Sequence, residues 1–276
     1  MFKIATWNID QARREEKFPE TKFDVRWPRI RDQIAQCAAS ILCLQELRNL
    51  ETSSVTVGAI LYELSQLGYD YKHAYYGPDQ THFCLTTCFK RDRFFPVGLD
   101  LQLLPLADQT KPNQSQIVLS VQLRCSVTGR VIDVCNTHFG LDEEEKRRSA
   151  TSLAAYLSEK QTAYVCAGDF NFFDDRDGTS HRQLLWGASQ DLAFPLANAS
   201  GTFMGYAHDE FKQPFERMSR LDHLFAKGLA KQCMANACGD MKQVQNRTYP
   251  SDHLMIAVNV EFQQPPQSGY HNLIVG

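Results

Sequence analysis

The sequence has no excess of positive charge and no long apolar run. Its 276 residues include 29 Lys and Arg against 32 Asp and Glu, so the formal net charge is −3 and the pI is about 6.2. No global positive field therefore draws nucleic acid to this protein, and a polyanionic substrate must be met by a local patch or by bound metal. The apolar runs are too short to span a bilayer, and the polar N-terminal segment does not resemble a signal peptide.

The nine cysteines form neither a disulfide pattern nor a zinc pattern. Their number is odd, and several, such as Cys43, lie inside apolar runs, which is typical of free thiols in a reducing compartment. Cys84 with Cys88, or Cys233 with Cys238, could supply half of a zinc site, but no second pair at zinc-finger spacing completes either set. We therefore expect a soluble, cytoplasmic protein.

Apolar strand-like segments dominate the sequence, and amphipathic helices separate some of them. Strands are predicted over 2–9, 41–44, 83–89, 94–104, 116–124, 131–139, 163–167, 220–226, 232–237 and 254–262. Apolar residues at helical spacing predict helices over 27–39, 55–67 and 143–157, the last capped by Asp142 with Glu145 three residues on. A short helix is predicted near 181–186. The pattern indicates two packed sheets flanked by helices, in one domain over 1–262 with a C-terminal extension over 263–276.

Acidic, amide and imidazole residues recur where the predicted strands end or begin. They are Asn8, Asp10, Glu46, His138, Asp169, Asn171, Asp222, Asp252 and His253. Any one of them could simply occupy a turn, but their repeated position at strand ends indicates one cleft on a common rim. Carboxylate and amide oxygens suit a hard cation, Mg²⁺ or Mn²⁺, which can neutralise a phosphodiester and stabilise its leaving oxygen. A histidine held by a neighbouring carboxylate can steady charge near the scissile phosphate.

Six segments resemble, in their order, the motifs of the endonuclease/exonuclease/phosphatase superfamily. They are Thr6-Trp7-Asn8-Ile9-Asp10, Leu44-Gln45-Glu46, Asn136-Thr137-His138-Phe139, Gly168-Asp169-Phe170-Asn171, Arg220-Leu221-Asp222-His223 and Ser251-Asp252-His253. The resemblance covers most of the chain. It implies the family's fold, an α/β four-layer sandwich of two packed, mainly antiparallel sheets flanked by helices (DNase I-like). It also implies a divalent-metal-dependent phosphoester hydrolase.

The resemblance implies a metal site and a water-activating site. Glu46 would be the main metal ligand, with Asn8 and Asp10 beside it, and Asn8 would also contact the substrate. Asp169 would orient or deprotonate the attacking water. Asn171 would contact the phosphate and help to hold Asp169.

Two histidines would bind the phosphate from opposite sides. His253 would contact a non-bridging oxygen and would be oriented by Asp252, which is a further candidate metal ligand. His138 would bind from the other side, held in its orientation by Asp222.

The natural substrate is left open by these motifs. The main interpretation is a phosphodiesterase that acts on nucleic acid or nucleotides by water attack at phosphorus, with no obligate protein partner. Phe170, Phe172 and Phe173 could stack on a nucleobase, although a place in the core is the simpler interpretation for at least one of them. The alternatives are a phosphomonoesterase or phospholipase-type hydrolase of inositol phosphates or sphingolipids, and a non-catalytic binding protein on the same scaffold.

Overall fold

The chain forms two packed β-sheets with helices beside them. The computed structural model describes residues 1–10, 22–49, 53–76, 83–98, 102–105, 117–172, 184–185, 189–199, 201–203, 218–239 and 249–264. In chain order its elements are β1 (Phe2–Asn8), α1 (Phe23–Cys37), β2 (Ile41–Leu47), α2 (Val57–Gln66), β3 (Tyr69–Tyr76), β4 (Phe83–Lys90), β5 (Phe94–Pro96), β6 (Gln102–Pro105), β7 (Ile117–Cys125), β8 (Val131–His138), α3 (Glu143–Ser158), β9 (Ala163–Asp169), β10 (Gln190–Asp191), β11 (Asp222–Lys227), β12 (Leu229–Lys231), β13 (Asn236–Cys238) and β14 (Met255–Phe262). The α/β sandwich expected from the sequence is confirmed.

Each sheet has seven strands and one parallel pair near its centre. The first sheet has the order β12-β14-β1-β2-β4-β3, with β13 also paired to β14, and the second has β10-β11-β9-β8-β7-β5, with β6 also paired to β7. The pairs β1 with β2 and β8 with β9 are parallel, and the other pairings between the strands described are antiparallel. A parallel pair needs a crossover, and α1 and α3 lie in these two connections. The parallel strands in a pair therefore end at the same edge of their sheet.

The helices begin and end at recognisable caps. Asp142 accepts a hydrogen bond from the Glu145 amide at 2.9 Å, which confirms the predicted start of α3. Thr56 caps α2 in the same way through the Ala59 amide at 3.2 Å. At the end of α1, Ala38 adopts a left-handed conformation. Among the described residues, no helix is both long enough and apolar enough to cross a membrane.

The apolar core has two parts. The larger joins the facing sides of the two sheets with α1 and α2, and the smaller lies between the second sheet and α3. Phe170 and Phe172 are completely buried in the smaller part, so they cannot stack on a substrate base. For these two residues the core interpretation is confirmed. Phe173 lies outside the described residues.

A polar bridge crosses the apolar layer between the sheets. The Gln45 amide Nε2 on β2 donates to Asn136 Oδ1 on β8 at 2.8 Å. Asn136 Nδ2 in turn donates to the backbone carbonyls of Leu44 and Thr86, at 3.1 and 3.0 Å. Thr6 completes the group with a hydroxyl that accepts from Gln45 Nε2 at 3.1 Å. Because these buried groups are all paired, the bridge connects the sheets without leaving an uncompensated polar atom of Gln45 or Asn136.

Two predicted strands are wrong in their extent. The strand expected over 94–104 is two strands, β5 and β6. Pro96, which has no N–H to donate, ends β5, and Gly98 turns the chain with φ of 83°. The strand expected over 232–237 is replaced by β12 and β13, which pair with different parts of β14. An apolar pattern indicates strand character but not where a short edge strand meets its neighbour.

The predicted C-terminal extension over 263–276 is described only at its first two residues. Gln263 is held, because its amide donates to the Gly228 carbonyl at 3.0 Å and its carbonyl accepts from Arg130 at 2.7 Å. Residues 265–276 lie outside the described residues, so the boundary at 262 remains a prediction. Of the short helix expected near 181–186, only residues 184–185 are described, and they are helical.

Candidate active site

The polar strand ends meet at one rim of the sandwich. Asn8 ends β1, and its register partner on β2 is Gln45, the neighbour of Glu46. In the second sheet, Asp169 pairs with His138 on β8 and with Asp222 on β11. β1 packs against β9 across the sheets. This arrangement brings the ends of both parallel pairs together, as the sequence analysis expected.

The backbone is strained at three positions on this rim. Asp10, Glu46 and Asn171 have φ of 46°, 62° and 52°, in the left-handed region that residues other than glycine rarely adopt. Each such residue costs on the order of 1–3 kcal/mol and persists only where the surrounding structure imposes it. Strain of this kind concentrates at functional sites, and here it redirects the chain just after β1 and β9 and at the register shift that β2 makes between Leu44 and Leu47.

Gly168 allows the second parallel pair to approach closely. A Cβ placed on Gly168 would lie 1.9 Å from the backbone oxygen of Thr137. No side chain fits there, so the glycine before Asp169 is required by packing between β8 and β9.

Asp169 is the centre of the site. Its carboxylate is 2% exposed. Its Oδ1 accepts the Asn171 backbone amide at 2.9 Å, and its Oδ2 accepts the Asn8 amide at 3.0 Å. The same Asn8 nitrogen donates to Glu46 Oε1 at 2.9 Å. One amide group therefore holds the two carboxylates of Glu46 and Asp169 side by side.

Asn171 differs in part from its expected role. It does hold Asp169, but through its backbone amide. Its side-chain amide donates to the Phe139 carbonyl at 2.8 Å. That donor is directed at the protein backbone, so contact between the Asn171 side-chain nitrogen and a phosphate would require it to leave this bond.

Two imidazoles flank Asp169 at equal distances. His138 Nε2 and His253 Nε2 each lie 3.5 Å from Asp169 Oδ2. His138 Nε2 is also 3.8 Å from Glu46 Oε1. The sequence analysis expected the two histidines to approach one phosphate from opposite sides, and the geometry brings both of them to one carboxylate oxygen.

The expected partners of the two histidines are wrong. His253 Nδ1 is bonded to Asp222 Oδ2 at 2.8 Å, whereas Asp252 Oδ1 lies 4.0 Å from the other ring nitrogen. Asp222 therefore orients His253 and not His138, because β11 pairs directly with β9 and places Asp222 beside Asp169.

The environment of His253 favours its charged form. Burial alone would lower its pKa, but the carboxylates of Asp222 and Asp169 outweigh burial and raise the pKa of His253 well above its usual value. Asp252 is the third carboxylate near the ring, and it shifts the pKa of His253 in the same direction.

His138 is held by a tyrosine that the sequence analysis missed. The Tyr76 hydroxyl at the end of β3 lies 2.7 Å from His138 Nδ1. The search for acidic, amide and imidazole residues passed over Tyr76, although it also stands at a strand end.

The loop that carries His253 is fastened to the end of β1. Trp7 Nε1 donates to the His253 carbonyl at 2.9 Å, and the Ser251 hydroxyl donates to the Asn8 carbonyl at 2.7 Å. The His253 amide donates back to Ser251 Oγ at 3.2 Å. The Thr-Trp-Asn and Ser-Asp-His segments therefore support each other directly.

Arg26 fastens the same two segments from the side of α1. It is 7% exposed, and its guanidinium donates to the carbonyls of Ile9 at 3.1 Å, Pro250 at 2.7 Å and Asp10. Asp10 itself donates its backbone amide to Asn8 Oδ1 at 3.0 Å. The strained backbone at Asp10 is held by these contacts.

A second buried ionic group lies behind Asp222. Asp191 Oδ2 accepts from Arg220 at 2.6 Å and lies 2.9 Å from His223 Nδ1. Burial raises the pKa of Asp191, but His223 and Arg220 outweigh burial and hold the pKa below its usual value. Arg220 and His223 flank Asp222 in sequence, so this group steadies the segment that carries Asp222. Sequence alone gave no signal for Asp191.

A comparison with known protein families shows which family this chain belongs to. A model of the Endonuclease/Exonuclease/phosphatase family matches residues 5–253. The chain belongs to this family. Members of the Endonuclease/Exonuclease/phosphatase family are phosphoester hydrolases, and this chain is one. A search of curated proteins gives no significant match.

Solved structures share the family's fold with this chain. A functionally unknown conserved protein from Enterococcus faecalis V583 has a TM-score of 0.76 and 19% identity, covering 95% of this chain and 100% of its own. A mannosyl-6-phosphatase from Bacteroides thetaiotaomicron VPI-5482 has a TM-score of 0.73 and 17% identity. The match covers 95% of this chain and 100% of the phosphatase. TDP2 of D. rerio, complexed with a single-strand DNA product, has a TM-score of 0.68 and 17% identity. The match covers 94% of this chain and 98% of the TDP2 chain. At these identities the likeness shows the fold.

The donor set of the site fits the divalent metal on which the family generally depends. Glu46 and Asp169 face each other across Asn8, which holds their two carboxylates side by side. Asp169, Asp222 and His253 also offer ligand atoms within 4.8 Å of one another. On that side, however, His253 already supplies positive charge, so the Glu46 side of Asp169 suits a hard cation better.

Proposed function

We propose that this protein is a divalent-metal-dependent phosphodiesterase that acts on nucleic acid or nucleotides by water attack at phosphorus. One observation carries the proposal: Asp169 Oδ2 is flanked by two imidazole nitrogens at 3.5 Å each, beside a second carboxylate, Glu46. A phosphate needs hydrogen-bond donors on its oxygens and a base near the attacking water, and this arrangement offers both.

In the proposed mechanism Asp169 orients the water and accepts its proton. The Asn171 amide and the Asn8 side chain fix the two carboxylate oxygens, so Asp169 keeps one orientation. His253, charged and held by Asp222, donates to a non-bridging phosphate oxygen and stabilises the negative charge of the transition state. His138 donates to the phosphate from the other side.

Glu46 is the proposed main ligand of Mg²⁺ or Mn²⁺, with Asn8, Asp10 and Asp252 as further candidates. The bound cation would neutralise the phosphate and stabilise the leaving oxygen. Asn8 Oδ1 already accepts the Asp10 amide, so Asn8 contributes chiefly by aligning Glu46 with Asp169.

The nucleic-acid assignment is supported by the structural likeness to TDP2, which was solved with single-strand DNA. The likeness to a mannosyl-6-phosphatase favours the alternative, a phosphomonoesterase. We also propose a cytoplasmic location, because all nine cysteines are free and seven of them are buried.

A substrate panel tests the proposed function. The purified protein is assayed with single-stranded DNA, RNA, a dinucleotide, sugar phosphates, inositol phosphates and sphingomyelin, each with Mg²⁺, Mn²⁺ or EDTA. We expect hydrolysis of a nucleic-acid or nucleotide diester that EDTA abolishes, and a loss of several decades of turnover in Asp169→Ala and His253→Ala.

Other outcomes identify the alternatives. Faster turnover of the monoesters or of sphingomyelin would replace the diester assignment. No turnover on any substrate, together with no Mg²⁺ or Mn²⁺ binding by titration calorimetry, would indicate a non-catalytic binding protein. Near wild-type activity of both variants on the true substrate would reject the site itself.

A further inference from the structure

The contact between Tyr76 and His138 crosses from one sheet to the other. Tyr76 is the last residue of β3 in the first sheet, and His138 is the last residue of β8 in the second. The Tyr76 side chain is 2% exposed, and its hydroxyl lies 2.7 Å from His138 Nδ1. Burying a hydroxyl without a hydrogen-bond partner costs folding free energy, so the contact with His138 offsets the burial of the Tyr76 hydroxyl.

The direction of this hydrogen bond follows from the chemistry of a phenol. A tyrosine hydroxyl is protonated near neutral pH and has one proton to donate. His138 Nδ1 is the hydrogen-bond partner that the structure gives to the Tyr76 hydroxyl. Burial, together with the carboxylates of Glu46 and Asp169, also raises the pKa of Tyr76. With the O–H as the donor, Nδ1 accepts and the imidazole proton lies on Nε2.

The proton on Nε2 points into the site. Nε2 of His138 is 3.5 Å from Asp169 Oδ2 and 3.8 Å from Glu46 Oε1. His253 differs, since its Nδ1 is bonded to the carboxylate of Asp222. A carboxylate partner stabilises an imidazolium, whereas a neutral hydroxyl partner fixes a tautomer without adding charge.

We propose that Tyr76 is a positioning residue, whose hydroxyl donates to His138 Nδ1 and thereby presents the Nε2–H of His138 to the substrate phosphate. The role of His138 rests on the proposed function, whereas the hydrogen bond and the tautomer do not. The two histidines then differ in the group that holds Nδ1: the carboxylate of Asp222 for His253, and the hydroxyl of Tyr76 for His138.

Tyr76→Phe removes only the hydroxyl and tests the proposal in two ways. The first is the imidazole ¹H–¹⁵N NMR spectrum of the protein without substrate, with the His138 signals assigned by their loss in His138→Ala. In the wild type we expect a protonated Nε2 and an unprotonated Nδ1. In Tyr76→Phe we expect a mixture of tautomers.

The second test is a double-mutant cycle on the substrate that the panel identifies. Tyr76→Phe should lower kcat about tenfold, as expected for one lost hydrogen bond. In the His138→Ala background the same change should have no further effect, because Tyr76 acts through His138. Tyr69→Phe is the matched control. Tyr69 lies on the same strand, is fully buried and donates to the Ala39 carbonyl at 2.8 Å, so kcat per folded molecule should stay at the wild-type value.

Either of two results would overturn the proposal. One is a His138 tautomer with the proton on Nδ1, or one that Tyr76→Phe leaves unchanged. The other is a Tyr76→Phe effect that adds fully to that of His138→Ala. The NMR spectrum is recorded without substrate. It therefore tests the tautomer of His138 even if the substrate panel rejects a nucleic-acid or nucleotide diester as the substrate.

Discussion

The hydrogen bond between Asp222 and His253 provides the sharpest prediction. Asp222 is fully buried, and its Oδ2 lies 2.8 Å from His253 Nδ1. Asp222→Asn keeps the size and shape of the side chain but removes its charge. The variant should therefore retain the fold and lose part of the stabilisation of the charged imidazole.

The expected loss of kcat in Asp222→Asn can be estimated from the distance between Asp222 and His253. Two unit charges 2.8 Å apart attract by about 6 kcal/mol at an effective dielectric constant of about 20. Much of this is offset by desolvation, and the net value of a hydrogen bond to a charged group is about 1.5–3 kcal/mol. If all of that value is expressed in the transition state, kcat falls about 10- to 150-fold.

Steady-state kinetics with saturating Mg²⁺ measures this loss, and a thermal melt confirms the fold. Asp133→Asn is the control, because Asp133 is also fully buried and paired, with Lys160 Nζ at 2.9 Å, but lies near the other end of β8. Its kcat per folded molecule should be unchanged. An Asp222→Asn variant with wild-type kcat would refute the assignment of His253 as a charged donor.

Three further changes test other parts of the structure. Asn8→Ala removes the amide that holds Glu46 beside Asp169, so the Mg²⁺ concentration for half-maximal activity should rise about tenfold; an unchanged requirement would contradict the alignment role. Gly168→Ala forces a Cβ to within 1.9 Å of the Thr137 backbone oxygen. The free energy of unfolding, measured with urea, should fall by at least about 3 kcal/mol. An unaltered urea midpoint would contradict the close approach of β8 and β9. Asp191→Asn should destabilise the protein by about 3–5 kcal/mol at neutral pH, since it breaks a buried pair. Because the pKa of Asp191 is lowered by folding, its contribution is complete above the ordinary carboxyl pKa near 4 and is lost as pH falls through the folded value, so urea midpoints of the two proteins should converge on acidification below about pH 4. A gap between them that widened in acid would show that Asp191 is not the ionised partner.

The residues that meet at the site could be predicted from sequence because strand ends are visible there. Asn8, Glu46, His138 and Asp169 each follow an apolar run, and parallel strands that end at one edge bring such residues together. Their number and type indicated a cation and a phosphate before any distance was known.

The pairing of the site residues could not be predicted in the same way. The family resemblance predicts that Asp222 holds His138, but the register of β11 against β9 places Asp222 beside His253. The actual partner of His138, Tyr76, belongs to the edge strand of the opposite sheet. Such contacts depend on how two sheets are stacked, which no local pattern in the chain records.

The bridge between Gln45 and Asn136 also keeps the residues of the candidate site aligned. Asn8 and Glu46 belong to one sheet and His138, Asp169 and Asp222 to the other, so a slip of one sheet by a single residue, about 3.3 Å, would pull them apart. The same slip would break the hydrogen bonds of Gln45 and Asn136 in an apolar layer, at about 1–3 kcal/mol for each group left unpaired. The bridge thereby holds the two sheets, and the strand ends that they carry, in one register before any ligand binds.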